Sequence, residues 1–175
     1  MTTRPDASEH APYYAKYTSL VPEGDIVQTL VTQLDTTLRI LNTVSEEKSL
    51  YRYAPGKWSI REAYVHVTDA ERVFTYRALR FARADQTPLA SMEQDAWVGP
   101  SGADARPWQG IVEEYLAVRT ATVALFGNLP AEAWTRTGIA SGHPVSVRAL
   151  AYIVAGHDIH HRNLLQQQYL RTESI

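Results

Sequence analysis

Residues 146–168 read SVRALAYIVAGHDIHHRNLLQQQ, and the spacing of apolar side chains in this stretch decides the fold class. Val147, Leu150, Val154, Leu164 and Leu165 return to one side of a 3.6-residue turn, with His157 and His161 in phase. The stretch therefore reads as a helix with one buried face, opening after Ser146 with Pro144 just outside. Three other stretches repeat the pattern. Ile26, Leu30, Leu34, Leu38 and Leu41 line a helix over about 25–44, with Asp25 as N-cap and Gln28 placed to complete a capping box. Ile60, Ala63, Tyr64, Val67, Ala70, Phe74, Ala78 and Phe81 line a second over about 60–83. Its start, Ser59-Ile60-Arg61-Glu62, fits the S-x-x-E box. Trp108, Ile111, Val112, Tyr115, Val118, Thr122, Leu125 and Phe126 line a third. It opens at Pro107, whose missing N–H is no loss there, and stops at Gly127 and Pro130.

Four amphipathic helices of about five turns each predict an all-α fold, an antiparallel four-helix bundle. The chain reads as one domain over 1–175, with 1–22 as an N-terminal extension. The connection 84–106, between the second and third helices, is long for a bundle, and such loops are usually functional or disordered. Alternation around Gly138 and Gly142 marks a small hairpin within 132–144.

Composition narrows the function classes. In 175 residues there are 17 Lys plus Arg against 19 Asp plus Glu, a net charge of −2. That charge supplies no footprint for nucleic acid. The absence of cysteine excludes a disulfide framework, a thiolate metal site and a cysteine nucleophile. No apolar run approaches the roughly 20 residues of a membrane span. The polar start, Met1 to His10, is unlike a signal peptide, so a cytoplasmic protein is expected.

His157 and His161 share one helix face, one turn apart, where two imidazoles can share a cation. With Val154 at zero and about 100° per residue, His157 falls near about 300° and His161 near about 340°, beside Leu150 at about 320°. His160 falls near about 240°, toward solvent. Two neutral imidazoles in an apolar seam need partners, and two readings stand. They are core histidines bonded to backbone or carboxylates, or they are metal ligands. His66 lies about 90° from the centre of its own stripe, on a flank that a bundle brings toward the fourth helix. A third histidine would complete a set with an open coordination position, the catalytic rather than the structural pattern. Otherwise His66 is a boundary residue bonded to Glu62 or Asp69.

Asp158 and Asp69 are placed to accept the second ring N–H of a ligand histidine, or to be surface charges. Glu93 and Asp95, in the long connection, are candidate general bases for a metal-activated water. Trp58 and Trp97 wall a pocket or simply pack. The run Arg72, Arg77, Arg80, Arg83 reads as a solvated helix face. Tyr13, Tyr14 and Tyr17 either cover a bundle end or form an interface. Ser141 and Ser146 near His143 lack the G-x-S-x-G context of a nucleophile.

The chain resembles the DinB-like superfamily, which includes the YfiT-like metal-dependent hydrolases. The resemblance is carried by Tyr17-Thr18-Ser19-Leu20-Val21-Pro22-Glu23-Gly24-Asp25, and by Tyr53-Ala54-Pro55-Gly56-Lys57-Trp58-Ser59 leading to His66 and Asp69-Ala70-Glu71-Arg72. It continues in Val118-Arg119 and closes on Ala155-Gly156-His157-Asp158-Ile159-His160-His161. It implies a four-helix bundle holding a divalent metal, often zinc or nickel, on three histidines at one end. By position these are His66, His157 and His161. Relatives include S-transferases that use bacillithiol, mycothiol or glutathione, and often form dimers. A metal-dependent enzyme is thus expected, transferring a low-molecular-weight thiol to a small-molecule electrophile. The alternatives are a hydrolase of a small molecule and a non-catalytic, metal-stabilised stress-response bundle. A homodimer is expected, and neither nucleic acid nor membrane as a partner.

Overall fold

A computed structural model describes residues 3–171. Residues 1–2 and 172–175, the ends of the expected 1–175 domain, lie outside the described residues. The helices are α1 (Ala15–Thr18), α2 (Ile26–Leu41), α3 (Ile60–Ala82), α4 (Gln94–Val98), α5 (Trp108–Gly127) and α6 (Val147–Leu164), with short 3-10 turns in the connections. One π turn, Leu165–Tyr169, continues α6. Strands β1 (Thr137–Ala140) and β2 (His143–Ser146) pair antiparallel, Thr137 opposite Ser146. Their turn is Ser141-Gly142, both at positive φ, the geometry that matches strand twist in a two-residue hairpin.

The helices start where the sequence marks them. Ser59 accepts from Glu62 N at 3.0 Å while its own N–H donates to Glu62 Oε2 at 2.8 Å, so the box is complete. Ser146 accepts from Ala149 N. Asp25 accepts from Gln28 N, but the Gln28 amide donates to Thr32 and leaves that box half formed. Pro107 is the N-cap of α5, so the helix starts at Trp108, one residue later than expected, and Glu46 accepts from the N–H of Trp108.

Both α2 and α3 pack against α5 and α6. Residues 42–59 therefore carry the chain across the bundle rather than to an adjacent helix. One buried polar network ties all four long helices. Arg119 on α5 donates to Glu71 on α3, with Nη2 to Oε2 at 2.8 Å, and to Gln33 on α2 at 3.3 Å. Asp158 on α6 accepts from Tyr115 at 2.7 Å and from Thr37 at 3.1 Å, and lies 3.6 Å from Arg119. Breaking such a pair strands a charge in a dry interior, so the network holds the helices to one register.

Two apolar clusters flank the centre of the molecule. One gathers Phe74, Phe81, Phe126 and Leu150; the other gathers Ile60, Tyr64, Trp108 and Leu165. Residues 3–25 fold onto this frame. Glu9 pairs with Arg148 and accepts from Ser146 at 2.7 Å, and Arg4 donates to the Val21 carbonyl. Connection 84–106 carries α4 and two 3-10 turns and bonds back to the rest of the fold. Leu89 bonds to Ile139 and Ser141 of the hairpin, and Arg61 donates to the Arg106 carbonyl. Because this connection folds back over α3, the arginine run is not one solvated face. Arg77 is buried beneath it and donates to Ala90 O at 2.6 Å.

Candidate metal centre

His66 stands two turns into α3, and His161 in the last turn of α6, so these two helix ends meet. The structure brings His66, His157 and His161 together, all buried. Nε2 of His157 lies 3.2 Å from Nε2 of His66 and 3.1 Å from Nε2 of His161. A ligand nitrogen from each falls within 4.8 Å of the others, and among the described residues no Cys, Asp or Glu joins the group. His160 points outward as its helical phase requires, at the exposed edge of α6.

The donor set fits a divalent cation. Two nitrogens held tetrahedrally at about 2.0–2.1 Å from zinc stand about 3.3 Å apart, close to both separations here. Without an ion the three rings are poorly satisfied. The Nε2 of His157 faces two other Nε2 atoms but has one hydrogen or one lone pair to offer. Nδ1 of His161 is also buried with no partner among the described residues, and an ion on Nε2 would leave it so. Burial holds the His66 pKa down to about 4, the nearby Asp95 opposing. Burial also pushes His157 and His161 well below the usual imidazole range, the neighbouring histidines adding to it. At neutral pH all three rings are uncharged and offer lone pairs, the state that metal binding needs.

Aromatic side chains fix the rings. Tyr17 of α1 stands edge-on to His157 at 5.2 Å, and the Trp58 ring lies 4.9 Å from His66. The three tyrosines pack on one another and on Phe74, Tyr14 edge-on to Phe74 and Tyr13 edge-on to Tyr14, while Tyr13 stays largely exposed. Two cavities reach the histidines. One of about 180 Å³ is lined by His157, Tyr14, Tyr17, Phe74 and Arg77. The other, of about 260 Å³, is lined by His161, Trp58, Lys57, Asp95 and Tyr169. Trp97 borders a third, very small crevice at His66.

The carboxylates distribute differently from expectation. Asp158 accepts no histidine N–H. It follows His157 by one residue, about 100° around the helix, and so faces Thr37 and Tyr115 instead. Asp69 pairs with Arg72 at 3.2 Å. Glu93 and Asp95 are exposed at the start of α4; Asp95 reaches the His161 cavity, and Glu93 borders neither of the two.

The family model of the DinB superfamily matches residues 29–165, which includes all three histidines. The chain belongs to the DinB superfamily. Its fold is similar to that of YfiT from Bacillus subtilis, described as a probable metal-dependent hydrolase with an unusual four-helix bundle topology. The two share 16% identity at a TM-score of 0.72, over 94% of this chain and 90% of that one. Comparison with curated proteins gives no match. None of the helices is long and apolar enough to cross a membrane, among the described residues.

Two features of the centre escape a reading by period. Tyr17 reaches His157 through a tertiary contact with no local signature. Gly156 permits that approach, since a Cβ there would lie 2.0 Å from the Tyr17 carbonyl oxygen. A glycine inside a helix is the available signal, because it costs about 1 kcal/mol unless something needs the space.

Proposed function

We propose that this superfamily member is a metal-dependent enzyme acting on a small molecule, with one divalent cation, zinc or nickel, held by Nε2 of His66, His157 and His161. The observation that carries the reading is the convergence of three buried, uncharged imidazoles with no fourth protein ligand among the described residues. Three protein ligands leave a position for a reactant. When bound, the cation supplies Lewis acidity and lowers the pKa of a thiol or water beside it. The residues of the chain do the rest. Tyr17 and Trp58 hold the rings in place, and the flanking apolar clusters exclude bulk water.

Separate cavities at His157 and His161 support a reaction of two molecules, a low-molecular-weight thiol and an electrophile. A chain without cysteine needs the thiol as a cosubstrate. Hydrolysis is the second reading. It is favoured by the description of YfiT and by Asp95 at the His161 cavity, where a carboxylate can take a proton from water.

Elemental analysis of the purified protein is expected to find about one divalent ion per chain, lost in His157→Ala and kept in His160→Ala. Full metal content in the Ala variants of all three histidines would remove the site. In cobalt-substituted protein, a low-molecular-weight thiol is expected to add a charge-transfer band. If no cellular thiol does so, and none speeds loss of an electrophile above the metal-free control, hydrolysis takes over.

A further inference from the structure

Arg77 is 3% exposed, yet no carboxylate pairs with it among the described residues. Its Nη2 donates to Ala90 O at 2.6 Å and to Ser141 Oγ at 3.0 Å. Its Nε and Nη1 donate to none of the described groups and neither atom is fully buried, and the residue lines a cavity. A guanidinium cannot shed its charge to suit a dry site, so a buried one without a counter-ion leaves a charge to be met. The same cavity is bordered by His157. Arg77 follows His66 by eleven residues on α3, which returns it to nearly the same face, and helical side chains lean toward the N-terminus. Arg77 thus leans toward the histidine end of α3, its guanidinium carbon 5.9 Å from the centre of the Phe74 ring. The anchor for its fork is Ser141, held at φ 52 in the hairpin turn, a costly conformation for a residue with a side chain.

The cavity between these ends measures about 180 Å³. An apolar cavity of about 150 Å³ accepts benzene, so this one takes a single ring with a small substituent. The rings of Tyr14, Tyr17 and Phe74 line it, with Met92 and Gln94 beside them.

Resting on the metal-dependent reading above, we infer that Arg77 is the anion anchor of the substrate cavity. The molecule that reacts beside His157 carries a carboxylate, accepting from an N–H of Arg77 that Ala90 and Ser141 leave free, on a small planar apolar body among the aromatic walls. A charge-assisted hydrogen bond from a guanidinium to a carboxylate is about twice as strong as a neutral one, and sets which end of the substrate faces the histidines.

The test uses metal-free protein, where no carboxylate can bind an ion instead. Calorimetric titration with benzoate and with neutral benzamide is expected to show benzoate tighter by at least about tenfold. Arg77→Gln is expected to abolish that preference, and Arg77→Lys to keep part of it. A purely structural Arg77, clamping Ala90 and Ser141, would alter stability in these variants without changing the ratio. Equal binding by the wild type, no benzoate binding, or an undiminished preference in folded Arg77→Gln overturns the proposal. Should Arg77→Gln fail to fold, the wild-type ratio and Arg77→Lys decide. Protein that selects benzoate but holds no metal defeats the metal reading alone. Protein that holds metal without selecting benzoate defeats this one alone.

Discussion

Replacing Gly156 with alanine puts a methyl group where the backbone of α1 already sits. The new Cβ would lie 2.0 Å from the carbonyl oxygen of Tyr17 and 2.4 Å from its carbonyl carbon. These are main-chain atoms, so no rotamer change relieves the clash. The α1 backbone must retreat as a unit by about 1.4 Å to restore ordinary contact, a displacement in the costly range of overpacking, about 1–3 kcal/mol. Against this, alanine is favoured over glycine in a helix interior by about 1 kcal/mol. With a rigid obstruction at the upper end of the range, the net expectation is a loss of about 1–2 kcal/mol. For a chain of this size that lowers the melting temperature by about 2–8 °C. Gly110 on α5 is the control. A Cβ there meets nothing within 4 Å, so Gly110→Ala should hold or raise stability. Thermal and urea unfolding of the three proteins gives both comparisons. Because Tyr17 stands against His157, Gly156→Ala should also perturb the cobalt spectrum of the loaded centre, whereas Gly110→Ala should not. If Gly156→Ala is as stable as the wild type or more so, helix propensity has won, and α1 does not pack on α6 as described.

Acid should weaken the metal-free protein through His66. Burial holds its pKa down to about 4, so between about 6.5 and 4 the unfolded chain binds a proton that the folded chain refuses. Stability is therefore complete above pH 6.5 and falls by roughly 3 kcal/mol toward pH 4, and a urea midpoint unchanged between pH 7 and 4.5 contradicts this. Glu71→Gln strands the Arg119 guanidinium with only Asp158 nearby, and should cost about 3 kcal/mol or more by urea unfolding; a loss below about 1 kcal/mol would mean the interior is wetter than the network implies. Asp95→Asn and Glu93→Gln should leave thiol transfer within about threefold of the wild-type rate, since neither carboxylate bonds to a histidine. A fall of about a hundredfold in Asp95→Asn identifies a general base and moves the reading to hydrolysis.

Local chemistry was legible along the chain. Helical period and caps located α2, α3, α5 and α6 to within a few residues, because the hydrophobic face and the orphan N–H groups of each helix are met by residues close in sequence. The same phase separated buried His157 and His161 from exposed His160, since helix geometry alone sets which side chains share a face. The Ser141-Gly142 turn lay inside a segment whose glycines already marked a hairpin, although the strands run to Ser146 rather than stopping at Pro144.

Contacts between distant segments were decided only by tertiary structure. Asp158 had the right chemistry to orient a histidine, and packing gave it Tyr115 and Thr37 instead, whereas Asp69 pairs with Arg72 along its own helix. Arg77 looked like part of a solvated stripe until connection 84–106 crossed it, because burial of a side chain depends on what folds over it and not on its neighbours in sequence. Tyr17 reached His157 across 140 residues through the gap left by Gly156. The convergence of three Nε2 atoms on one point was likewise beyond any single helix. Periodicity orients a residue around its own axis, while the height and separation of two axes are set by side-chain packing and by the buried Arg119–Glu71–Asp158 network that locks them together.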